Sequence, residues 1–289
     1  MIKFDKMQSN GNDFVMLDES QQAMSHLHNK IPHFCKTISD RKFGIGCDLI
    51  TLYRVGDENI VHASFFNSDG SEAEICGNAA CCLALLMKIR HSRISCILKT
   101  KNKTYELLVD DKNAISINFG RPSCDRAQCG MHSLPPNLLE YLEDSLGDAA
   151  DLFIKIGAYY AVALSVGNPH LVLLVTHMPS MEQAAILGSL LEKNELFQRK
   201  TNVSFAKILP NGEISLVVFE RAEGLTLACG SGAVATAWAS FMGGFTTPNN
   251  ITVRQRGGSV TINIVEDGDV FQVSSAVLVF SGVYYSNAS

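Results

Sequence analysis

CGNAA at positions 76–80 returns in altered form as CGSGA at positions 229–233. Each stretch follows a polar turn and opens an apolar, alanine-rich run, which predicts a helix that starts at the cysteine. The two predicted helices, residues 76–90 and 229–242, are apolar on all sides, a pattern typical of helices buried inside a curved sheet. The repetition therefore predicts two similar halves, each with a thiol at the N-terminus of a buried helix.

Three more pairs of polar residues recur in the same order along the chain. The pairs are Asn12 with Asn168, Asp48 with Asn202, and Asn67 with Glu220. Their separation is about 155 residues, as is that of the two cysteines. One such match could arise by chance, whereas four in the same order indicate a duplicated chain.

Short segments rich in β-branched and aromatic residues predict strands in both halves. In the first half they are residues 14–17, 49–53, 61–66, 94–98, 105–109 and 115–119. In the second half they are residues 161–164, 171–175, 203–208, 214–219, 251–254, 260–264 and 270–273, and residues 277–280 form the last predicted strand. Asn211-Gly212 and Asp267-Gly268 predict hairpin turns. Further helices are predicted at residues 24–39, where Pro32 interrupts the pattern, and at residues 133–146 and 181–199.

These elements predict an α/β (α+β) fold of two similar halves, each a curved sheet around a central helix. The first half comprises residues 1–122 with Cys76, and we expect residues 275–289 to return to it. The second half comprises residues 123–274 with Cys229.

Composition excludes several classes of function. The 289 residues carry a net charge of −5, and no run of Lys or Arg forms a basic stripe, so we expect no nucleic-acid partner. No apolar segment approaches the length of a membrane span, so we expect no membrane association. Nine cysteines, an odd number, do not suggest the disulfide framework of a secreted protein, and they lack the spacing of a zinc site. We therefore expect a cytoplasmic protein with no bound metal.

The two cysteine motifs suggest a specific chemistry. Unpaired backbone N–H groups at a helix N-terminus stabilise anions, and the glycines after the cysteines allow a ligand carboxylate to approach closely. The same position commonly lowers the pKa of a thiol, so that one cysteine can act as a thiolate base while the other remains a protonated acid. Two thiols on opposite sides of a Cα–H could remove a proton from one face and return one to the other. This inversion requires no metal, flavin or pyridoxal cofactor.

The combination of motifs resembles that of the diaminopimelate epimerases over almost the whole chain. The matching sequences are GNDF at 11–14, NSDGSE at 67–72, CGN at 76–78, GNPH at 167–170, Asn202, ER at 220–221 and ACGSG at 228–232. The resemblance implies two halves that are each a β-barrel-like sheet around a central helix, with the active-site cleft between them. It also implies a cofactor-independent, two-cysteine enzyme that binds a small amino-acid substrate and is often a homodimer. The implied reaction converts LL-2,6-diaminopimelate to its meso form, in bacterial lysine and peptidoglycan biosynthesis.

By this resemblance, Cys76 and Cys229 are the catalytic acid/base pair. The implied substrate-binding residues are Asn12, Asn67, Gly77, Asn78, Asn168, Asn202, Glu220, Arg221, Gly230 and Ser231. Arg221 could bind a second carboxylate and Glu220 an ammonium group at the far end of the substrate. His170 could either line the cleft or order its loop.

The chain departs from the family at a few positions, and other functions stay open. Leu49, Cys81 and Leu225 stand where the family usually has Gln, Arg and Glu. A related racemase acting on histidine or proline is one alternative, and an isomerase of the phenazine-biosynthesis type is another, although the latter does not use a cysteine pair. A non-enzymatic binding protein that uses the cleft for a ligand is a further alternative.

Overall fold

The structure, a computed structural model, describes residues 1–21, 31–57, 59–73, 75–101, 103–221 and 223–285. The chain divides into two compact units. The first unit is Met1–Asn118 together with the segment that begins at Ser274, and the second is Phe119–Val273. The sequence-based boundary, after residue 122, thus lies a few residues from the division between the units.

The two units together contain seventeen strands among the described residues. Strands β1 to β8 are Ile2–Ser9, Asn12–Asp18, Leu49–Val55, Ile60–Asn67, Glu72–Ala73, Ser95–Lys99, Thr104–Val109 and Ile115–Asn118. Strands β9 to β16 are Ala158–Ser165, Pro169–Val175, Asn202–Ile208, Ile214–Glu220, Gly224–Leu225, Ile251–Gln255, Gly258–Ile264 and Val270–Ser274, and β17 is Val277–Tyr284. Helices α1 to α6 are Ile31–Ser39, Gly77–His91, Leu138–Asp144, Ala150–Ile156, Met181–Glu192 and Gly230–Met242.

Both units have the same strand order. In the first unit β1, β2, β3 and β4 are neighbours in that order, β6, β7 and β8 continue from β4, and β5 also pairs with β4. In the second unit β9 to β12 follow the same order, β14, β15 and β16 continue from β12, and β13 pairs with β12. The only parallel neighbours in these described strands are β2/β3, β4/β6, β10/β11 and β12/β14. Each parallel pair is connected through a helix, as parallel neighbours require, so the repeat in the sequence is a repeat of topology.

The last strand belongs to the first unit, where β17 pairs with β1 in antiparallel register. This pairing gives the first unit an additional strand. Among the described residues, the second unit has no counterpart of β17. The segment 275–284 thus lies with the half of the chain to which the sequence assigned it.

A buried helix lies at the centre of each unit. Helix α2 contacts β1, β2, β6, β7, β8 and β17, and each of its residues from Gly77 to Met87 is buried. Helix α6 contacts β9, β10, β11, β12, β14 and β15, and is buried from Gly230 to Ser240. Because strands from both ends of each sheet reach one helix, the sheets curve around it. Within each unit, no strand pairing among the described residues joins the two ends of the sheet, so neither sheet is closed.

The surface helices differ from those that the sequence predicts. The segment predicted as a helix from residue 133 has none before α3, since Pro135 and Pro136 precede it and Asn137 forms its N-cap, accepting from the Glu140 backbone N–H at 3.3 Å. Helix α4 was not predicted. Helix α5 starts as predicted, with Ser180 and Gln183 forming a capping box, but ends at Glu192.

Beyond α5 the chain folds back into the core of the second unit. Phe197 forms an isolated bridge with Met131, and both side chains are buried. This bridge accounts for the difference from the predicted helix at 181–199, because it requires the chain to leave the helix before that point. Of the helix predicted at residues 24–39, residues 31–39 form α1 and residues 24–30 lie outside the described residues.

Turn residues set the hairpins. Gly212 and Gly268 have φ values of 81° and 88° between the antiparallel pairs β11/β12 and β15/β16, which confirms both predicted hairpins. Asn10 and Gly11 have φ values of 52° and 77° between β1 and β2, as a two-residue hairpin turn requires. Strand β1 was not predicted from the sequence.

One close approach fixes helix α5 on the sheet of the second unit. Gly188 faces Phe219 of β12 so closely that a Cβ at position 188 would lie 2.5 Å from the Phe219 side chain. Glycine is therefore required there by space, since its own φ is ordinary. No helix in the described part of the chain is long and apolar enough to cross a membrane.

The central helix should carry much of the stability of its unit. Leu86 in α2 is fully buried, whereas Ile89 on the same helix is 49% exposed. We expect Leu86→Ala to lower the free energy of unfolding by about 2–5 kcal/mol, because it leaves a cavity. Ile89→Ala is the matched control and should change it by less than about 1 kcal/mol. Urea unfolding followed by circular dichroism measures both, and equal losses would contradict the central role of the α2 core.

Candidate functional site

The first thiol lies at the start of α2. Cys76 is the N-cap residue, with φ −126° and ψ 109°, and its side chain makes no capping hydrogen bond. Its Sγ instead donates to the side-chain oxygen of Asn12 at 3.7 Å. The thiol is partly exposed, and the N–H groups of the first helical turn lie directly behind it.

Two further asparagines of the first unit lie near these elements. Asn78, buried in the first turn of α2, accepts at Oδ1 from the side chain of Asn10 at 3.2 Å, and Asn10 also donates to Ser274 Oγ at 2.9 Å. Asn67 ends β4 and donates to Ser71 Oγ at 2.9 Å. Its Oδ1 is buried without a partner among the described residues, so it is available as an acceptor.

The second thiol lies at the equivalent place in the second unit. Cys229 is the N-cap of α6, with φ −126° and ψ 113°, almost the same backbone conformation as Cys76. Its Sγ donates to Glu220 Oε2 at 3.1 Å and accepts from the backbone N–H of Gly232 at 3.4 Å. Its own backbone N–H donates to Gln255 Oε1 at 2.7 Å. The sulfur is therefore held on two sides.

The environment of Cys229 corrects the expectation of a lowered thiol pKa. Burial raises the pKa of Cys229 well above its usual value, and the negative charge of Glu220 raises it further. Burial also raises the pKa of Glu220, while hydrogen bonds from Thr226 and Cys229 act in the opposite direction. The N-terminal position on the helix is thus outweighed by burial and by the adjacent carboxyl group.

The Glu220 carboxyl group lies beside the second thiol. Its Oε1 accepts from Thr226 at 2.6 Å and its Oε2 from Cys229 at 3.1 Å. Both carboxylate oxygens are therefore engaged beside the thiol. This geometry links Glu220 to the state of Cys229, and its binding of a substrate ammonium group stays a prediction.

A hydrogen-bond cluster surrounds the first turn of α6. Ser231 Oγ lies 3.5 Å from Cys229 Sγ, and accepts from Asn168 Nδ2 at 3.3 Å. His170 Nε2 lies 3.1 Å from both Ser231 Oγ and Asn168 Oδ1. Burial lowers the pKa of His170 to about 3, and the charge of Arg221 adds to this, so the ring is neutral. The structure therefore brings His170 into the same cluster as the thiol.

Asn202 and Arg221 lie at neighbouring strand ends of the second unit. Asn202 donates from Nδ2 to the carbonyl of Pro169 at 2.9 Å and accepts at Oδ1 from the Arg221 backbone N–H at 2.9 Å. Both atoms of its amide therefore hold backbone. The Arg221 guanidinium donates from Nη1 to the Arg199 carbonyl at 3.2 Å. A direct role of these two residues in substrate binding stays a prediction.

The two halves place equivalent residues at equivalent positions but connect them differently. In the first half the thiol donates to Asn12, at the start of β2, and in the second half it donates to Glu220, at the end of β12. The residue that matches each thiol partner in the other half does not bond the thiol there. Asn168, which matches Asn12, bonds Ser231, and Asn67, which matches Glu220, bonds Ser71. One backbone design therefore carries two chemically different thiol environments.

Several contributors were not identified from the sequence as site residues. They are Asn10, Thr226 and Gln255, which contact Asn78, Glu220 and Cys229 respectively. Asp48 appeared only as a landmark of the repeat, and its side chain accepts from Asn12 Nδ2 at 2.9 Å. A position equivalent to that of a site residue in the other half was the available signal for Asp48.

Comparison with known proteins decides the family. The family model described as diaminopimelate epimerase matches residues 4–124 and 162–279. This chain belongs to the diaminopimelate epimerase family. A diaminopimelate epimerase from Carboxydothermus hydrogenoformans is 34% identical over 287 residues, which cover 98% of this chain and 100% of that protein.

Solved structures show that the fold is shared more widely than the sequence. A protein described as a predicted epimerase from Pseudomonas aeruginosa superposes with a TM-score of 0.69 at 13% identity, covering 99% of this chain and all of the other. A phenazine biosynthesis protein of the PhzF family from Enterococcus faecalis superposes with a TM-score of 0.67 at 14% identity and the same coverage. These likenesses concern the fold alone, whereas the sequence match assigns the chain to the diaminopimelate epimerase family.

The three departures from the family pattern are all at least partly buried. Leu49, at the start of β3, is buried, and Leu225 packs against the core of the second unit. Cys81 is fully buried in α2, and burial raises its pKa to about 12. None of the three contributes a polar group to the thiol environments described above.

The influence of Glu220 on the second thiol is open to direct measurement. We expect Glu220→Gln to lower the pKa of Cys229, because it removes the negative charge that opposes formation of the thiolate. The midpoint of the pH dependence of Cys229 alkylation by a small reagent, followed by mass spectrometry, should therefore shift to lower pH. Glu213→Gln is the control, since Glu213 pairs with Arg254 at the other end of β12 and should leave the midpoint unchanged. An unchanged midpoint in Glu220→Gln would show that the carboxyl group does not govern this thiol.

Proposed function

We propose that this chain catalyses the epimerisation of LL-2,6-diaminopimelate to the meso form, with Cys76 and Cys229 as the acid/base pair. The proposal is supported by membership of the diaminopimelate epimerase family over nearly the whole chain. The observation that carries the mechanism is the matching position of the two thiols, each as N-cap of the central helix of its unit. We infer that both act on the same α-carbon.

The proton balance of the reaction needs one thiolate and one thiol. The thiolate removes the α-proton as that carbon becomes a carbanion, and the other thiol donates its proton to the opposite face. The product then has the inverted configuration, and the two sulfurs have exchanged protonation states until solvent restores them. The S–H of Cys229 is held by Glu220, and its raised pKa favours the protonated form, so we assign Cys229 as the acid in one direction of the reaction. In the opposite direction Cys76 donates the proton, from an S–H that is held by Asn12.

The first helical turns would stabilise the charge that develops. A carbanion next to a carboxylate delocalises onto the carboxylate oxygens, and fixed N–H dipoles lower the energy of that state. The N–H groups at Gly77 and Asn78, and those at Gly230 and Ser231, are at the N-termini of buried helices, where such groups have no partner within the helix. We therefore assign these residues to the substrate carboxylate at the reacting carbon. No step of this mechanism draws on a metal or an organic cofactor.

Location and assembly are further parts of the proposal. All nine cysteines are free thiols, which favours a reducing compartment, and we propose the cytoplasm. We also propose a homodimer that forms through β17. Among the described strands β17 pairs only with β1, and Val277, Val279, Phe280 and Val283 along it are exposed. An exposed apolar edge strand of this kind is suited to pairing with a second copy.

The catalytic proposal is tested by incubating reduced protein with LL-diaminopimelate in deuterated water. We expect meso product with deuterium at one α-carbon. Cys76→Ala and Cys229→Ala should each lower turnover by at least about 10²–10⁴-fold, the usual contribution of a general acid or base. Cys124→Ala, which removes an exposed cysteine, is the control and should leave turnover unchanged.

The same assay separates the alternatives. Histidine and proline are incubated in parallel, and exchange with either of them but not with diaminopimelate would replace the proposed substrate with another amino acid. Absence of α-deuterium from all three substrates would refute an epimerase or racemase function. Full activity in either cysteine variant would refute the two-thiol mechanism but leave the substrate assignment intact.

The dimer is tested by sedimentation. We expect Val279→Lys to convert a dimer into a monomer, because a charge on the apolar strand opposes its burial. Ile94→Lys is the control, since Ile94 is also exposed but lies outside β17. A wild-type protein that sediments as a monomer at micromolar concentration would overturn the proposal.

A further inference from the structure

We propose that Asp48 is a positioning residue, which fixes the side-chain amide of Asn12 so that the amide oxygen faces the Cys76 thiol. This inference rests on the proposed function, in which Cys76 exchanges a proton with the substrate. Asp48 itself is not proposed to touch the substrate.

The Asn12 amide has a different partner at each end. Its Nδ2 donates to Asp48 Oδ2 at 2.9 Å, and its Oδ1 accepts from Cys76 Sγ at 3.7 Å. An asparagine amide can turn by half a rotation and exchange its oxygen and nitrogen with almost no change in shape. A carboxylate can only accept. It therefore selects the orientation in which the nitrogen faces Asp48 and the oxygen faces the sulfur.

The Asp48 carboxylate is itself held in place. Its Oδ1 accepts from Arg41 Nη2 at 2.6 Å, and its Oδ2 also accepts from the Asp13 backbone N–H at 3.0 Å. The backbone N–H of Asp48 in turn donates to the Asp13 carbonyl at 3.0 Å. The acceptor that orients Asn12 thus has a fixed position relative to β2, which carries Asn12.

Two basic side chains pair with the carboxylates of Asp13 and Asp48. Arg41 bonds both carboxylates, and Lys6 Nζ, a nearly buried group, lies 2.6 Å from Asp13 Oδ2. Burial raises the pKa of Asp13, but hydrogen bonds from Arg41 and Lys6 outweigh it and hold that pKa well below its usual range. Two cations therefore face two carboxylates, and Arg41 holds the carboxylates of Asp13 and Asp48 together.

The second half shows why a carboxylate is informative at this position. Asn202 is the equivalent residue, and both atoms of its amide are bonded to backbone. There the thiol has a carboxyl partner of its own in Glu220, and Asn168 bonds Ser231 and His170 instead. The acidic residue, Asp48 directly before β3, thus occurs in the first half, where the thiol of Cys76 bonds the neutral amide of Asn12.

The orientation of Asn12 has a chemical consequence. An amide oxygen accepts the S–H of a thiol, whereas an amide N–H stabilises a thiolate. Asp48 therefore determines which protonation state of Cys76 the Asn12 side chain favours. A residue at position 48 that can both donate and accept no longer selects one orientation of the Asn12 amide.

A double-mutant cycle tests the inference. Asp48→Asn introduces the residue that the second half has, and it is made in the wild type and in Asn12→Ala. We expect Asp48→Asn alone to raise the rate of Cys76 alkylation by iodoacetamide at pH 7 by about twofold or more. The rate of Cys229 alkylation should not change. It should also lower kcat more than it raises KM. In the Asn12→Ala background the same substitution should change neither quantity further.

The controls separate positioning from stability. Asp40→Asn removes another carboxylate of the same unit, which caps the turn at Lys42 and Phe43, and should leave the Cys76 alkylation rate unchanged. Thermal unfolding confirms that each variant is folded, and Asp48→Ser provides the same cycle if Asp48→Asn is not. An equal change in both backgrounds, or no change in the alkylation of Cys76, would overturn the positioning role.

The alkylation measurement needs no substrate, so the two proposals fail separately. Coupling between positions 12 and 48 in the alkylation rate, together with a wild type that does not epimerise diaminopimelate, would refute the proposed function alone. Active wild-type enzyme without that coupling would refute the role of Asp48 alone.

Discussion

The structure depends on one constraint, which is the burial of an apolar helix on all sides. A helix without a polar face is stable only if a sheet surrounds it, and α2 and α6 are each contacted by strands from both ends of their own sheet. Such a helix has no accessible side surface along its buried turns. Its N-terminus is then the place where its unpaired N–H groups can meet a ligand, and in both units a cysteine occupies that place.

Duplication supplied two copies of this arrangement, and the copies differ in chemistry. The backbone angles of Cys76 and Cys229 are nearly the same, so the difference comes from side chains at the strand ends. An amide faces one thiol and a carboxyl group the other. Acid/base inversion benefits from such a difference, because the two sulfurs must hold opposite protonation states when the substrate binds.

Much of the fold was predictable because its signals are local. The all-round apolar helices, the Asn-Gly and Asp-Gly turns and the order of the repeat are all visible in short stretches of sequence. Strand β1 was missed because its charged residues suggest a polar segment. Lys6 is nevertheless buried, since Asp13 and the chain around Gly46 accept its hydrogen bonds. The turn at Asn10-Gly11 was a local signal for this strand.

The site was predictable in its residues but not in its electrostatics. The helix N-terminus alone suggests a lowered thiol pKa, whereas burial and Glu220 raise the pKa of Cys229. Glu220, at the end of β12, contacts the sulfur at the start of α6 only in the folded chain. The residues next to each other in sequence do not reveal this contact. The same is true of Gln255, which is brought to the Cys229 backbone from β14.

The close approach of Gly188 to Phe219 links the outside of the second unit to its chemistry. Phe219 immediately precedes Glu220 on β12, so the glycine that makes room for the Phe219 ring lies against the strand that carries this carboxyl group. Any larger residue at position 188 would have to displace Phe219, the neighbour of Glu220. Substitution in α5 is therefore restricted at Gly188, a residue that has no side chain and does not belong to the thiol environments.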